Sequence, residues 1–285
     1  YRREMPWRKT RDPYRILVSE IMLQQTQVDR VLRKYPEFLR RFPTADSLAV
    51  APVSDVIRAW QGMGYNRRAL NLQKFVREVI HRHAGIFPDE PERLKGMPGM
   101  GPATIASFLA FAFGKDIPSL DTNIRRVIHR IYYGVNFPHE KVSIATLFDQ
   151  GKKLIPAGKG WDWNQAMMDF GSLICKARRP LCAECPYQSS CLAYPEILSV
   201  DFSVRRAKRE PKHPDFRFPD RIYRGRVVEH LRGDARARLD EIGKAIEPAF
   251  RERDLPWLRR LIDNLVRDGL LAVQDDGKSV FVSLA

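Results

Sequence analysis

The chain has 285 residues, of which 44% are hydrophobic and 29% charged, and its formal net charge is +15 at pH 7. This length allows one large domain or two smaller ones, and no stretch approaches the about eighteen apolar residues that a membrane-spanning helix needs. The positive charge favours a polyanionic partner, which DNA, RNA or an anionic membrane could each provide. No signal-peptide pattern is visible, and we do not expect Tyr1 to be the native start.

Residues 12–194 carry the apolar spacing of successive helices and no run of alternating strand residues. Leu17, Ile21 and Val28 keep an approximately helical spacing, and two segments within residues 105–131 do the same. Proline and glycine separate these segments. The pattern therefore predicts an all-α region.

A glycine-rich turn, Met97-Pro98-Gly99-Met100-Gly101, lies between two of the helical patterns. Gly99 and Gly101 permit a positive φ and a close approach of the backbone to another surface. The amides of this turn, together with the N-terminus of the following helix, could bind a phosphate group. Ordinary turns between helices have the same pattern, so the turn alone does not identify a function.

Asp121 and Asn123 open the next helical pattern, about 20 residues after the turn. Asp121 could simply be a helix N-cap, because that is the commonest role of aspartate at such a position. A carboxylate at a helix N-terminus is, however, also kept ionised at neutral pH. Asp121 is therefore a candidate for an anionic role in a site.

All four cysteines lie within seventeen residues, at the spacing Cys-x6-Cys-x2-Cys-x5-Cys. Such a cluster in a chain without a signal peptide predicts a metal site in a reducing compartment and not disulfides. Four thiolates could hold a zinc ion or a [4Fe–4S] cluster, and the loose outer spacings favour the cluster. The nearby Lys176, Arg178 and Arg179 could meet phosphates or form only a solvated basic face. The cysteines are Cys175, Cys182, Cys185 and Cys191.

The composition changes after the last cysteine. Residues 196–220 are polar, basic and proline-bearing, which predicts a linker between a domain of residues 1–195 and a unit of residues 221–285. The last unit combines three helical patterns with a hairpin that turns at Asp276-Gly277, which predicts a winged helix. A small helical cap on the first domain is the alternative. The helical patterns lie at 227–231, 239–246 and 258–266, the strands at 270–273 and 280–284, and the basic linker residues are Arg205, Arg206, Lys208, Arg209 and Lys212.

The turn, Asp121 and the four cysteines, in this order and at these distances, resemble the helix-hairpin-helix DNA glycosylases related to endonuclease III and to the adenine glycosylase MutY. The resemblance covers about residues 5–191, and the cysteine spacing is the family's own. It implies an all-α, two-lobed fold with a DNA-binding cleft, followed here by the small α+β unit. It also implies a [4Fe–4S] cluster in place of zinc.

Three stretches are similar to MutY in particular, at residues 19–28, 62–65 and 164–169. MutY and the G·T mismatch glycosylases have a glutamate where Glu20 stands, whereas endonuclease III does not. The stretch at residues 6–14 is also similar to the mismatch enzymes. The resemblance implies removal of adenine opposite 8-oxoguanine or guanine, with removal of thymine or uracil opposite guanine as the alternative.

Breaking an N-glycosidic bond passes through an oxocarbenium-like sugar, so an acid must protonate the base and an anion must face the cation. The resemblance implies that Glu20 is the acid. It lies among Val18, Ile21 and Met22, and an apolar setting would raise its pKa and keep a proton for N7 of adenine. Asp121 would stay ionised and stabilise the cation or the attacking water.

The resemblance implies further site residues. Asn123 would support the reacting sugar and water, and Gln25 and Tyr65 would wedge into the duplex beside the opposite base. We expect a cytoplasmic, nucleoid-associated monomer that binds double-stranded DNA containing a mispaired or damaged base. Trp7, Arg8, Leu23 and Gln165 would line the base pocket, and Gln24, Thr26, Met97, Gly99 and Gly101 would make further DNA contacts.

Two departures from the family pattern matter. Ala103 stands where endonuclease III has the lysine that forms a Schiff base, which predicts a monofunctional hydrolase without AP-lyase activity. The winged-helix unit replaces the C-terminal domain with which MutY recognises 8-oxoguanine. A catalytically idle DNA-binding regulator with a redox-sensing cluster is a further alternative, which the presence of both Glu20 and Asp121 disfavours.

Overall fold

The computed structural model describes residues 3–136, 142–202, 210–233, 236–277 and 279–285. The chain divides into two compact units, and each unit is assembled from two separate stretches of the sequence. The first unit comprises Tyr1–Glu20 and Phe87–Ala207, and the second comprises Ile21–Ile86 and Lys208–Ala285. Helix α1 (Pro13–Leu23) contributes residues to both units.

The first unit is helical in its described part. After a 3-10 turn at Pro6–Lys9 and the start of α1 come α6 (Pro91–Leu94), α7 (Pro102–Phe113), α8 (Thr122–Tyr133), α9 (Ile144–Leu154) and α10 (Gly160–Leu173). Helix α7 is mostly apolar and is buried over residues 106–112, with Pro102 in its first turn and a left-handed Gly114 at its C-cap. Helix α8 packs on α9 and α10 through a core that includes Ile124, Ile128 and Leu147. This packing holds the N-terminus of α8, where Asp121 lies.

Some of the glycines in the turn between α6 and α7 adopt the positive φ that the sequence permits, and one does not. Gly96 and Gly99 adopt φ values of +88° and +80°, which only glycine adopts without strain. Gly101, in contrast, has φ −80° and is the N-cap of α7, so the positive φ considered there is wrong: an N-cap takes extended backbone. Met97 and Met100 are buried and anchor the turn to the core.

The second unit begins with four helices whose core is completed by C-terminal residues. These helices are α2 (Val28–Arg41), α3 (Ala45–Val50), α4 (Val53–Ala59) and α5 (Arg67–His83). Ile57 of α4 and Leu70 of α5 are buried in the same hydrophobic cluster as Val227, Leu261 and Val282. Burial of each such side chain contributes about 1.5–3 kcal/mol, so the two stretches of this unit stabilise each other.

The C-terminal stretch alternates helices and short strands. Its elements are α11 (Asp220–Gly233), β1 (Ala237–Arg238), α12 (Leu239–Ile246), α13 (Leu255–Arg267), β2 (Leu271–Asp275) and β3 (Val280–Leu284). The sheet is antiparallel in the order β1-β3-β2, and Val273 of β2 pairs with Val282 of β3. Gly277 takes φ +80° in the turn between them. The expected helices and hairpin are present, and the two-residue β1 is an addition that is too short to leave a pattern in the sequence.

The predicted fold class, all-α with a small C-terminal α+β unit, is confirmed. The common helical pattern expected for Leu17, Ile21 and Val28 is wrong, because α1 ends at Leu23 and α2 begins at Val28 after a turn. The domain boundaries at 195 and 221 remain predictions. Within the described ranges, none of the helices combines the length and apolar character needed to cross a bilayer. Of the basic linker residues, Arg205, Arg206, Lys208 and Arg209 lie outside the described residues, and Lys212 is exposed.

Candidate active site

Glu20 lies in the second half of α1 and is partly buried. Its burial raises its pKa to about 7, and the negative charge of Asp121 acts in the same direction. A hydrogen bond from the Ser107 side chain opposes this shift and is too weak to cancel it. Glu20 is therefore a carboxyl group that is protonated to a large extent at neutral pH, as its sequence setting predicted.

Ser107 is a functional candidate that sequence analysis missed. Its hydroxyl lies 3.0 Å from the backbone oxygen of Ala103 and 2.5 Å from the hydroxyl of Ser119. Ser119 is also held through its backbone N–H, which donates to Oδ1 of Asn164 at 2.7 Å. This network fixes the segment that leads into Asp121. The available signal was a small polar residue in the middle of the apolar helix α7.

Asp121 is the N-cap of α8. Its Oδ1 accepts hydrogen bonds from the backbone N–H groups of Asn123 (2.9 Å) and Ile124 (2.7 Å), and its Oδ2 accepts one from Nδ2 of Asn123 (3.0 Å). Burial nevertheless raises the pKa of Asp121 above its ordinary value, because these bonds offset only part of the desolvation. The sequence predicted that the helix N-terminus would keep this carboxylate ionised; the N-cap bonds act in that direction, but the burial of Asp121 has the larger effect on its pKa.

Arg126 connects Asn123 to the backbone of the first cysteine. Its guanidinium donates to Oδ1 of Asn123 at 2.8 Å, to the oxygen of Cys175 at 2.8 Å and to the oxygen of Gly171 at 2.5 Å. Gly171 packs so closely that a Cβ atom there would lie 2.8 Å from Cβ of Asn123. Asn123 is thus held by the guanidinium of Arg126 and by close packing against Gly171. Arg126 was not identified from the sequence, since only the fold brings its partners together.

The residues expected in the base pocket fall into two groups. Trp7, Arg8 and Gln165 are buried in the first unit, whereas Leu23 belongs to the second. The Arg8 guanidinium makes two hydrogen bonds to the Asp169 carboxylate, at 2.7 and 2.8 Å, and so links the 3-10 turn to α10. Burial would raise the pKa of Asp169, but the hydrogen bonds from Arg8 and Arg3 lower it. Arg8 therefore already has a strong ionic partner in the protein.

The residues expected to contact DNA are divided between the two units: Met97, Gly99 and Gly101 lie in the first, and the loops of Gln25 and Tyr65 lie in the second. Gln25 and Tyr65 both have a left-handed backbone, with φ values of 53° and 46°, and Tyr65 is 59% exposed. Side chains that protrude from such strained positions are typical of binding sites. Gln24 and Thr26 flank Gln25 in the same turn.

Arg68 holds these two loops together and was also missed from the sequence. Its guanidinium donates to the backbone oxygens of Gln24 on one side and of Gly64 (3.2 Å) on the other. Burial lowers the pKa of Arg68 to about 10, which still leaves it charged at neutral pH. Its remaining acceptors are the backbone oxygens of Ile21, Met22 and Met63 and Oγ1 of Thr26.

The four cysteines are free thiols in one loop region. Burial raises the pKa of Cys182, and the electrostatic influence of the other three cysteines raises it further. Arg130 organises the loop by donating to the backbone oxygens of Lys176 and Ala177, both at 2.7 Å. In the described part of the chain, no three His, Cys, Asp or Glu side chains are grouped to hold a single metal ion. The neighbouring Lys176, Arg178 and Arg179 are exposed.

Comparisons with known proteins identify the family. Residues 18–147 match the HhH-GPD superfamily of base excision DNA repair proteins. An adenine DNA glycosylase of Mycolicibacterium smegmatis is 33% identical over 98% of this chain and 94% of that protein. The chain belongs to the HhH-GPD superfamily. This membership confirms the resemblance seen in the sequence and the predicted DNA N-glycosylase chemistry.

Other relatives of this HhH-GPD protein differ in their named substrate and in length. A thymine/uracil-DNA glycosylase of Methanothermobacter thermautotrophicus is 34% identical over 68% of this chain and 87% of that protein. An adenine DNA glycosylase of Buchnera aphidicola is 36% identical, and the chain spans 59% of its length. A solved thermostable thymine-DNA glycosylase is 34% identical, has a TM-score of 0.63 and covers 68% of this chain and 89% of its own. Endonuclease III in a non-covalent complex with DNA, 24% identical with a TM-score of 0.57, covers 64% of this chain and 84% of its own and shares the fold.

Proposed function

We propose that the chain hydrolyses the N-glycosidic bond of adenine mispaired with 8-oxoguanine or guanine in duplex DNA. The main observation that supports this proposal is the raised pKa of the Glu20 carboxyl group. Its pKa of about 7 keeps a proton available at neutral pH, and a second carboxyl, Asp121, is near enough to contribute to that value. Relatives from Mycobacterium tuberculosis and Mycolicibacterium smegmatis that match almost the whole chain are named adenine DNA glycosylases.

Glu20 acts as the general acid of this reaction. It gives its proton to N7 of the extruded adenine, and the bond between C1′ and N9 breaks with its electron pair moving to the base. Adenine then leaves as a neutral molecule. An acid whose pKa lies close to the working pH supplies about 10²–10⁴-fold of the rate enhancement.

The Asp121 carboxylate stabilises the positive charge that develops on the sugar. Water then adds to C1′ and gives up one proton, which returns the two carboxyls to their starting charge and leaves an abasic site. The three hydrogen bonds from Asn123 and Ile124 orient the carboxylate before the base arrives. Asn123 supplies two of these three hydrogen bonds, and in this proposal it also lies beside the reacting sugar.

The acid favours a purine over a pyrimidine. Adenine presents N7 as a proton acceptor, whereas thymine and uracil have no atom of this kind. Gln165 supports the same choice, because its buried Oε1 accepts no hydrogen bond from any group that the structure describes. A glutamine amide and the edge of adenine form a matched donor and acceptor pair.

The chain is a monofunctional hydrolase in this proposal. Ala103 lies exposed in the first turn of α7 and offers no amine for a Schiff base. The abasic site would therefore remain uncleaved until another activity or alkali acts on it. This separates the chain from glycosylases that also cut the DNA backbone.

Cys175, Cys182, Cys185 and Cys191 would hold the [4Fe–4S] cluster of this proposal. Arg130 contacts two of these sulfur atoms, since its guanidinium lies 3.6 Å from Sγ of Cys175 and its backbone oxygen accepts from Sγ of Cys191 at 3.3 Å. The loose outer spacings of the four thiols fit a cluster, whose irons are spread over a larger volume than one ion. Bound there, the cluster supplies a covalent cross-link of the loop. The exposed Lys176, Arg178 and Arg179 would then face the phosphates of bound DNA. A ratio of about four irons per purified chain would test the assignment.

A panel of duplexes, each with one mispair, followed by alkali cleavage, tests the substrate. We expect strand cleavage at adenine opposite 8-oxoguanine and opposite guanine, and none without alkali. Release of thymine or uracil opposite guanine is the alternative, which the thymine/uracil-DNA glycosylase relative favours. No adenine release from any mispair would overturn the proposal.

A further inference from the structure

The second unit contains a large groove that the proposed chemistry does not use. Its volume is about 1390 Å³. One wall consists of the loops that carry Gln25 and Tyr65, and the other wall consists of α11 and α13. The groove therefore lies between the loops expected to contact DNA and the C-terminal elements whose role the sequence does not explain.

Helix α11 presents one continuous face to the groove. Arg221, Arg224, Val228 and Arg232 line it, and their spacing of three and four residues places them along one side of the helix. Gly225 lies between them and is exposed, and a Cβ atom there would meet nothing within 4 Å. The backbone of α11 is thus open to close approach at Gly225.

The groove carries more positive than negative charge. Eight lysines and arginines line it against four carboxylates, a difference of +4. The carboxylates are held in ion pairs by groove arginines, such as Arg221 with Glu210 (2.6 Å) and Arg260 with Asp220 (3.5 Å). These pairs orient the guanidinium groups along the walls and leave the groove with a net attraction for a polyanion.

The wall opposite α11 carries the exposed side chains of Gln25 and Tyr65, which are expected to contact DNA. Tyr65 is 59% exposed, Gln25 is also exposed, and both residues have a left-handed backbone. If these loops lie against a duplex, the adjoining backbone of that duplex passes the groove, which is continuous with them. The net positive charge of the groove and its position beside these loops then both favour DNA as the occupant.

We propose that this groove binds the sugar–phosphate backbone of the duplex contacted by the Gln25 and Tyr65 loops, so that α11 and α13 clamp the same DNA molecule. This inference rests on the proposed function, because it needs those loops to lie against DNA. In this proposal the C-terminal stretch of the second unit contributes to affinity for the duplex and does not take part in the chemical step. Arginine and lysine contacts to phosphate carry no sequence preference, so the clamp would act on damaged and undamaged DNA alike.

The experiment compares two triple variants of the full chain. The groove variant is Lys212→Gln/Arg221→Gln/Arg260→Gln, and each of its three residues lines the groove and is exposed. The matched control removes the same charge from exposed residues of the same unit that do not line the groove: Lys244→Gln/Arg251→Gln/Arg253→Gln. Fluorescence anisotropy measures Kd over a salt series for an undamaged duplex and for one with an A·G mispair.

We expect the slope of log Kd against log salt to fall by about 2 to 3 in the groove variant, since each phosphate contact contributes about 0.9. The control should keep the wild-type slope, and single-turnover excision at saturating enzyme should be equal in all three proteins. A wild-type slope in the groove variant, or an equal loss in both variants, would overturn the proposal. So would binding of RNA or protein, but not DNA, that depends on the groove residues.

Binding and excision are read separately, so the two proposals fail in different ways. An absence of adenine release by the wild-type chain would refute the proposed substrate and leave the salt slopes unaffected. Thermal unfolding checks that both triple variants fold. If the groove variant is unstable, Lys212→Gln alone replaces it, with an expected loss of slope of about 0.9.

Discussion

Arg126 donates a hydrogen bond of 2.8 Å to Oδ1 of Asn123, whose own amide group holds the Asp121 carboxylate at 3.0 Å. The same guanidinium binds the backbone oxygen of Cys175 at 2.8 Å. A continuous series of hydrogen bonds therefore joins the first cysteine of the loop to the proposed catalytic anion. Because Arg126 touches neither base nor sugar in the proposed mechanism, it is a positioning residue.

Arg126→Gln should slow single-turnover adenine release by about 10- to 100-fold, which corresponds to the loss of ~1.5–3 kcal/mol from a charged hydrogen bond. Affinity for the duplex should stay near the wild-type value. Quenched-flow excision and anisotropy measure the two quantities. Lys152→Gln, an exposed residue on α9, is the control for charge. A loss of affinity without a change in rate would contradict the positioning role.

Glu20→Gln should reduce adenine release by about 10²–10⁴-fold and preserve DNA binding. At acid pH the rate should decrease where Asp121 takes up a proton, because only its carboxylate form stabilises the sugar cation. In the wild-type chain the protonated form of Glu20 is active, so the rate should fall tenfold per pH unit above about 7, the pKa of Glu20. The glutamine in Glu20→Gln has no acidic proton to donate, so the residual rate of this variant should not decrease above pH 7. A pH–rate profile from single-turnover experiments checks both statements, and identical profiles would refute the acid role.

The same group affects stability. The folded state binds more protons than the unfolded state between the ordinary pKa of 4.5 and the raised value of about 7. The contribution of Glu20 to the free energy of unfolding is therefore present below this window and is lost as the pH rises through it. Urea titrations should show the wild-type chain losing stability relative to Glu20→Gln between these pH values. Parallel curves would contradict the pKa shift.

Gly171→Ala should lower the excision rate by displacing Asn123, since the new Cβ atom would lie 2.8 Å from that side chain. The change adds one methyl group and no charge, so the effect should appear in kcat and not in affinity for DNA. Gly233→Ala is the matched control, because a Cβ atom there meets nothing within 4 Å. Equal activity of the two variants would show that α10 can move away from Asn123 without consequence.

Arg68→Met should destabilise the second unit by about 3 kcal/mol or more, because each of several buried backbone oxygens that loses its donor costs about 1–3 kcal/mol. The loops of Gln25 and Tyr65 share this one guanidinium, so mispair binding should weaken as well. Chemical denaturation and anisotropy measure the two effects. Arg40→Met, at an exposed site of α2, should change neither. Retention of wild-type stability would mean that these oxygens find other donors.

Ala103→Lys should introduce AP-lyase activity. The residue is exposed in the first turn of α7, so a lysine fits there without disturbing the core. We expect covalent trapping with substrate DNA in borohydride for the variant and none for the wild-type chain. Ala103→Met, of similar length but without an amine, is the control. Trapping of the wild-type protein would show that another amine attacks the sugar.

Local patterns in the sequence predict part of the candidate site, whereas the roles of Glu20 and Asn123 came from the family resemblance. Glu20 lies in an apolar stretch of a helix, and its raised pKa follows from that setting. Asp121 is at a helix start, where its N-cap bonds follow from position alone. The cysteine spacing likewise indicates a shared ligand, because all four residues are close in the chain.

The residues that support the site could not be predicted in this way. Arg126 and Cys175 are 49 positions apart, and Arg68 and Gln24 are 44 apart, so only tertiary packing brings them into contact. Ser107 offered a weak signal as a polar residue in an apolar helix. The core shared by Ile57 and Val227 could not be predicted either. Periodicity shows that one face of a helix is buried, but it does not show which other element buries it.

The sequence order of the two units has a consequence for synthesis on the ribosome. Residues 21–86 emerge early, but the apolar partners of Ile57 and Leu70 lie beyond residue 208 and emerge last. These side chains stay exposed while more than a hundred further residues are translated, which at about 5–20 residues per second takes roughly 5 to 20 seconds or more. The nascent chain therefore offers a hydrophobic surface that chaperones can bind, and ribosome stalling before residue 208 would leave that surface uncovered.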